Sequence, residues 1–230
     1  MTDVAVNWQA VRTRVAAAAR RAGRDPQAVR IIAVAKTKPV EMIEQAVAAG
    51  ATDIGENYVQ EAAEKIPRVV APVTWHLIGH LQRNKAAHAV ELFDVIHTLD
   101  SVALGETLAR HALRRAQHVR VLIEVNIGGE ATKRGVAPAD VAGLLAKLAH
   151  QQWLVIDGLM TIPPPGVSAE CARPYFRALR ELRDRLRNDA PANAPLRELS
   201  MGMTDDFEVA IEEGATMVRI GRAIFGEREA

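Results

Sequence analysis

Lys36 closes an apolar run, Ile31-Ile32-Ala33-Val34-Ala35-Lys36-Thr37-Lys38-Pro39, in the way a carbonyl-reactive lysine does. Apolar neighbours desolvate the ammonium, favour the neutral amine and free it to attack an aldehyde or ketone as a Schiff-base nucleophile. A solvated strand-end lysine or a plain phosphate contact competes with this reading, and the stretch alone favours that competitor. Near the other end of the chain two segments shift the balance: Leu199-Ser200-Met201-Gly202-Met203-Thr204-Asp205-Asp206 and Val218-Arg219-Ile220-Gly221-Arg222-Ala223. Their glycines let backbone N–H groups approach an anion. Ser200 supplies a hydroxyl, Met201 is counted with it among the cofactor-binding residues, Gly202 and Gly221 permit close approach, and Arg222 offers a charge-assisted contact. Read singly, each glycine is better explained as a helix cap or turn.

Strand alternation over Met217 to Gly221 puts Met217, Arg219 and Gly221 on one face and the apolar Val218 and Ile220 on the other. Arg219 is therefore expected to point inward, toward either a ligand beside the cradle or an inward carboxylate such as Glu124. A lysine amine, an anion cradle and an inward arginine together suit pyridoxal phosphate (PLP), whose aldehyde, phosphate and pyridine nitrogen they would meet in turn. A guanidinium only donates hydrogen bonds, so it leaves that nitrogen unprotonated and the ring a weaker electron sink than an aspartate partner would.

These residues need a scaffold that brings both ends of the chain together. Trp8, Val11, Val15, Ala18 and Ala22 recur at helical spacing before Gly23, which predicts an opening amphipathic helix. Eight strands are then expected, at Ile31 to Ala35, Thr52 to Gly55, Val73 to Ile78, Val95 to Thr98, Val119 to Ile127, Val155 to Thr161, Arg197 to Met201 and Thr216 to Gly221. Helices follow at about Val40 to Ala49, Tyr58 to Ile66, Gln82 to Leu92, Ser101 to Ala116, Pro138 to Gln151, Ala169 to Asn188 and Asp205 to Glu213, with a short one near Ala223. Strict strand–helix alternation with short loops argues for parallel pairing, and eight repeats close a barrel. The fold class is α/β, a single (β/α)8 TIM barrel with an extra N-terminal helix. The first strand lacks the glycine fingerprint of a dinucleotide-binding sheet. Residues 1–230 read as one domain, and Pro163-Pro164-Pro165-Gly166 shapes the barrel mouth instead of dividing the chain.

The motifs resemble those of the pyridoxal phosphate homeostasis proteins of the YggS/PROSC type, from about Ile31 to Gly226. They are Ala33-Val34-Ala35-Lys36-Thr37-Lys38-Pro39, Gly55-Glu56-Asn57-Tyr58-Val59-Gln60-Glu61, Trp75-His76-Leu77-Ile78-Gly79-His80-Leu81-Gln82-Arg83-Asn84-Lys85, Gly158-Leu159-Met160-Thr161-Ile162-Pro163-Pro164, Ser200-Met201-Gly202-Met203 and Arg219-Ile220-Gly221-Arg222-Ala223-Ile224-Phe225-Gly226. The resemblance implies a barrel similar to the N-terminal domain of alanine racemase, with Lys36 as the internal aldimine and Arg219 facing the pyridine nitrogen. It also implies phosphate contacts from Ser200, Gly221 and Arg222, and Asn57 near the ring. Ala35, Thr204 and Gly128 stand where serine is more usual in that family.

Other features are weaker. His76 and His80 lack the spacing of a metal site and read as ring-adjacent or structural. Glu130 and Lys133, in Gly129-Glu130-Ala131-Thr132-Lys133-Arg134-Gly135, belong to a lid or to a solvated charged loop. Arg177, Arg180, Arg183, Arg185 and Arg187, interleaved with Glu181 and Asp184, read as a solvated helix face. With 29 basic and 28 acidic side chains over 230 residues and no long block of either sign, neither a nucleic acid nor a membrane surface is the expected partner. One cysteine, Cys171, fits a reducing cytoplasm, and no apolar run approaches the ~20 residues that cross a bilayer. The expectation is a cytoplasmic, monomeric PLP carrier without turnover, handing its cofactor to apo PLP enzymes. The rivals are a PLP-dependent amino-acid racemase, and a sugar-phosphate barrel with Lys36 as a plain phosphate contact. Racemisation needs a second acid/base, which the resemblance to alanine racemase implies is a tyrosine from a separate C-terminal β-domain across a dimer interface, and with the last strand expected just before Ala230 no such domain is expected. Tyr58 and Tyr175 both fall in expected helices.

Overall fold

The computed structural model describes residues 3–130 and 133–227, so Ala131 and Thr132 of the expected lid lie outside the described residues. After helix α1 (Val4–Arg21) the chain alternates strand and helix: β1 (Arg30–Val34), α2 (Val40–Ala48), β2 (Asp53–Glu56), α3 (Val59–Lys65), β3 (Thr74–Leu77), α4 (Ala86–Leu92), β4 (Val95–Leu99), α5 (Val102–Arg114), β5 (Val119–Glu124), α6 (Val141–Leu148), β6 (Leu154–Met160), α7 (Ala169–Arg187), β7 (Glu198–Ser200), α8 (Phe207–Glu212), β8 (Met217–Ile220) and α9 (Arg222–Phe225). The strands are all parallel and close into a barrel in sequence order, as the alternation predicts. Closure is made where β1 meets β8, with Ile32 opposite Arg219, while Ile32 also stands opposite Asp53 of β2.

The period-2 pattern of each strand sorts its side chains between two layers. Val218 and Ile220 of β8 join the large outer core between strands and helices, whereas Met217 packs inside the barrel with Ile32, Leu122 and Met160. That inner apolar cluster is small, and polar side chains from β2, β3, β4, β7 and β8 complete the filling: Asp53, His76, His97, Ser200 and Arg219 are all buried. Gly158 is required where β6 meets β7, because a Cβ there would come within 1.9 Å of the Glu198 carbonyl oxygen.

Helices α8 and α9 have six and four residues and cover little of the wall near β8. Helix α1 completes the outer layer there. It buries Val4, Trp8, Val11, Val15, Ala18 and Ala19 against α2, α8 and α9. The Asp3 carboxylate caps its first turn at Val6 N (3.0 Å), and Asn7 Nδ2 donates to the Ile224 carbonyl (3.0 Å).

Local departures from the sequence reading have visible causes. The fifth strand stops at Glu124, not Ile127: Val125 N still donates to the Met160 carbonyl (2.8 Å), but Val125 then bridges Val136 outside the strands, and the Asn126 side chain folds back on the Glu130 main chain, donating to its carbonyl at 2.8 Å. The helix expected from Gln82 begins as a 3-10 turn, Arg83–Lys85. Tyr58 lies outside α3, extended at its N-cap and exposed. The arginine face of α7 is not merely solvated: Arg173, Arg177 and Arg180 converge on the buried carboxylate of Glu213, just past α8, at 3.3, 3.0 and 3.1 Å.

Candidate functional site

A cleft of about 480 Å³ opens at the C-terminal ends of the strands, where barrel chemistry gathers. Lys36, Asn57, Arg219, Gly221 and Arg222 line it, together with Lys38, the apolar Val34, Ile78 and Ile162, and the loop Met203, Thr204 and Asp205. Five of the eight residues singled out in the sequence therefore meet on one wall. The other three lie behind it. Ser200 is fully buried, Met201 packs in the outer core, and Gly202, at φ +91°, sits where a Cβ would fall 2.5 Å from Ala210 Cβ, so its glycine serves the packing of α8.

Lys36 sits half-buried in a tight turn two residues beyond β1, closed by Lys38 N donating to the Ala35 carbonyl (3.0 Å). Both flanks of the turn are pinned from α3. Lys65 Nζ donates to the Ala35 carbonyl (2.9 Å) and to Glu56 Oε1 (2.8 Å) and Glu61 Oε1 (2.6 Å). Glu61 Oε1 in turn accepts the N–H of Thr37 (2.5 Å), which holds the left-handed φ of +61°. A β-branched residue rarely adopts that conformation, and the clamp keeps it there. Burial pushes the Glu56 carboxyl up to about 7, with the Lys65 bond opposing and the Glu61 charge assisting.

Arg219 is buried with its guanidinium plane fixed by two neutral acceptors: Nη1 donates to Ser200 Oγ (2.7 Å) and Nη2 to the Thr161 carbonyl (2.9 Å). Burial draws its pKa down to about 10, and the more distant charges of Asp206 and Glu124 oppose that fall. The Arg219 to Glu124 salt bridge considered as an alternative is not formed. Glu124 lines an adjoining cavity of about 310 Å³ with Lys133 and Arg134, and burial raises its carboxyl pKa.

On the anion side, Gly221 faces β1, where a Cβ would sit 3.3 Å from the Val34 carbonyl. Thr204 Oγ1 lies 3.5 Å from the Ala223 N–H, so the loop after β7 and the start of α9 share one rim. Arg222 stands on that rim, paired with Asp205 and with Glu227 (3.4 Å). Asn57 is held by close backbone packing: a Cβ on Gly79 would fall 2.2 Å from its carbonyl oxygen. Asn57 also borders a second cleft of about 400 Å³ that carries Tyr58, His80 and Lys85. His80 bonds Arg134 Nη1 (2.9 Å), and among the described residues no cluster could hold a metal ion. Lys133 Nζ donates to the Pro163 carbonyl (2.9 Å) and pairs with Glu130, tying the loop after β5 to the proline-rich loop after β6. Sequence reasoning passed over Lys38, Met203 and Asp205 as cleft residues; the signal was their place beside the motifs in the loops that leave β1 and β7.

The eight-stranded parallel barrel that carries these residues matches the alanine racemase N-terminal domain family over residues 6–229. The chain is 41% identical over 230 residues to the pyridoxal phosphate homeostasis protein of Pseudomonas aeruginosa, covering 100% of this chain and 97% of that one. It is 43% identical over 217 residues to the protein of that name from Aquifex aeolicus, covering 94% of each. Among solved structures it is similar to PipY of Synechococcus elongatus with PLP bound, at a TM-score of 0.82 and 39% identity over 94% of this chain and 100% of that one. The chain belongs to the pyridoxal phosphate homeostasis protein family.

Proposed function

We propose that this protein binds pyridoxal 5'-phosphate in the cleft as a single barrel domain, holds it as a Schiff base on Lys36, and buffers or delivers it in the cytoplasm as a monomer without turnover, with apo PLP enzymes as recipients. The observation that carries the reading is the meeting, in one cleft, of Lys36 beyond the first strand, Arg219 in the last strand, and the Thr204, Gly221 and Arg222 rim. The donor set fits the cofactor: an amine for its aldehyde, a guanidinium for its ring nitrogen, hydroxyl and backbone donors for its phosphate, and Val34, Ile78 and Ile162 for the ring faces. Ser200 acts from behind by orienting Arg219, and Met201 and Gly202 by shaping the turn. The cofactor supplies carbonyl and electron-sink chemistry; Arg219, able only to donate, keeps the sink weak, which suits holding over transforming. The names of the homologues and the PLP in PipY support the same reading.

The test is titration with PLP, followed by borohydride reduction and peptide mapping. The adduct is expected on the peptide containing Lys36, and Lys36→Ala is expected to lose the visible Schiff-base band. Lys38 also lines the cleft, although its Nζ donates to the Glu227 carbonyl (2.7 Å). An adduct mapped to Lys38 or Lys85 would sink the assignment.

A further inference from the structure

The buried polar groups inside the barrel form one continuous chain. Arg219 Nη1 donates to Ser200 Oγ at 2.7 Å, Ser200 Oγ lies 3.0 Å from His97 Nδ1, His97 Nε2 lies 2.9 Å from His76 Nδ1, and His76 Nε2 lies 2.9 Å from Asp53 Oδ1. Both ends have a fixed polarity, since a guanidinium can only donate and an ionised carboxylate can only accept. A single proton arrangement satisfies every link with neutral imidazoles: Asp53 accepts from Nε2–H of His76, whose Nδ1 accepts from Nε2–H of His97, whose Nδ1 accepts the Ser200 hydroxyl. Ser200 Oγ is then open to Arg219. The alternative, with His76 protonated and His97 carrying its proton on Nδ1, points two donors at Ser200 Oγ and leaves the hydroxyl proton to find another acceptor in the buried core, a costly arrangement.

Two observations support an anionic Asp53 and a neutral His97. Burial works to raise the Asp53 carboxyl, but hydrogen bonds from His76 and from Thr52 Oγ1 (2.7 Å) and the charge of Arg30 leave it below its ordinary value. Burial holds the His97 imidazole well below its ordinary value. Among the described residues Arg219 itself bonds a hydroxyl and a carbonyl and no carboxylate, so a charge reached through polarised hydrogen bonds is a means of compensating its burial.

We propose that Asp53, His76 and His97 are positioning residues for Arg219, forming with Ser200 a one-way relay that fixes the guanidinium and makes Asp53 its remote counter-charge. None of the three lines the cleft. The consequence for ligand binding rests on the PLP reading above: Asp53, at the far end of the relay, tunes the group presented to the pyridine nitrogen.

The experiment has two arms. In the first, imidazole 15N spectra of the full-length, PLP-free wild-type protein should show His76 and His97 as neutral tautomers protonated on Nε2. A proton on His97 Nδ1 overturns the relay whether or not PLP binds. In the second, PLP affinity and the absorption maximum of the bound cofactor are measured for Asp53→Asn, Ser200→Ala and the double variant, each first shown to unfold with a wild-type denaturation midpoint. A relay predicts that Asp53→Asn weakens PLP binding about tenfold and shifts the absorption maximum. It also predicts that adding Asp53→Asn to Ser200→Ala costs nothing further, because the chain is already cut. Additive losses overturn the proposal in favour of independent structural roles. A wild-type protein that fails to bind PLP at all counts against the proposed function, and the first arm then judges the relay by itself.

Discussion

Glu56 is a carboxyl group sealed beneath the turn that carries Lys36, sharing Lys65 with Glu61. Its pKa, pushed up to about 7 chiefly by burial, has a definite sign in the stability of the fold. Between its ordinary range and about pH 7 the folded protein binds more protons at this site than the unfolded chain, so stability must fall as pH rises through that window. Glu56→Gln cannot ionise. Urea midpoints are therefore expected to fall between pH 5 and pH 7.5 in the wild type and to do so less steeply in Glu56→Gln, with the variant gaining ground at the upper end; parallel curves would refute the assignment. At this scale Arg219 was legible, because alternation along a strand depends only on its immediate neighbours. The clamp on Lys36 was half legible: Glu61 and Lys65 form an ordinary i,i+4 helix pair, but the reach of Lys65 to the Ala35 carbonyl, 30 positions away, is a product of packing. The inward turn of Ser200 was not legible for the same reason, since its partner His97 lies 103 positions earlier.

Among the elements, strands and helices were placed well wherever one face is apolar, and misplaced where a side chain competes for the backbone. Asp206 Oδ1 accepts the Met203 N–H at 2.6 Å, which holds the turn and delays α8 to Phe207 although helix was expected from Asp205. The face of α7 was misread because arginines that pair between helices and arginines that point to water look alike in sequence. Arg177 and Arg180 of that run, joined by Arg173 one turn earlier, meet Glu213, whose own burial works to raise its carboxyl while the bonds from Arg177 and Arg173 hold it below the usual range. A depressed carboxyl adds stability above its ordinary pKa and loses it as pH falls through the lowered value. Glu213→Ala removes the shared carboxylate of Arg177 and Arg180 and leaves Arg173 with Glu170 and Glu212, the three guanidinium groups still side by side. It is expected to lower stability at pH 7 by about 2 kcal/mol in urea denaturation, with the loss shrinking in acid. A change below ~0.5 kcal/mol at pH 7 would mean that the arginines are simply solvated.

For the molecule as a whole, the question is whether a cleft of this design holds its ligand or transforms it. Two-base racemisation needs an acid/base on each side of the bound cofactor, and on the racemase reading Lys36 would be one of them. Tyr58 is the tyrosine that matters: it was expected within a helix but stands exposed beside Asn57, on the second cleft. The carrier reading predicts that α-proton exchange of L- and D-alanine in deuterated water stays at the rate of free PLP, while cofactor passes measurably to an apo-enzyme. Saturable exchange abolished by Tyr58→Phe would favour the racemase.

The pairing of β1 with β8 also sets an order of events. The lysine follows the opening strand and the arginine lies in the closing one, so a chain emerging from the ribosome cannot assemble the cleft until β8 has been made. No strand-to-strand connection of the chain crosses that seam, which is held by four paired positions between β1 and β8 and by α1 packed on α2, α8 and α9. A molecule seated in the cleft would act as a rivet there, stabilising only the shut form. Amide hydrogen exchange should register this: PLP is expected to slow exchange across 30–34 and 217–220 more than at β5 and β6, on the far side. Uniform slowing around the ring would mean that the ligand does not clamp this seam in particular.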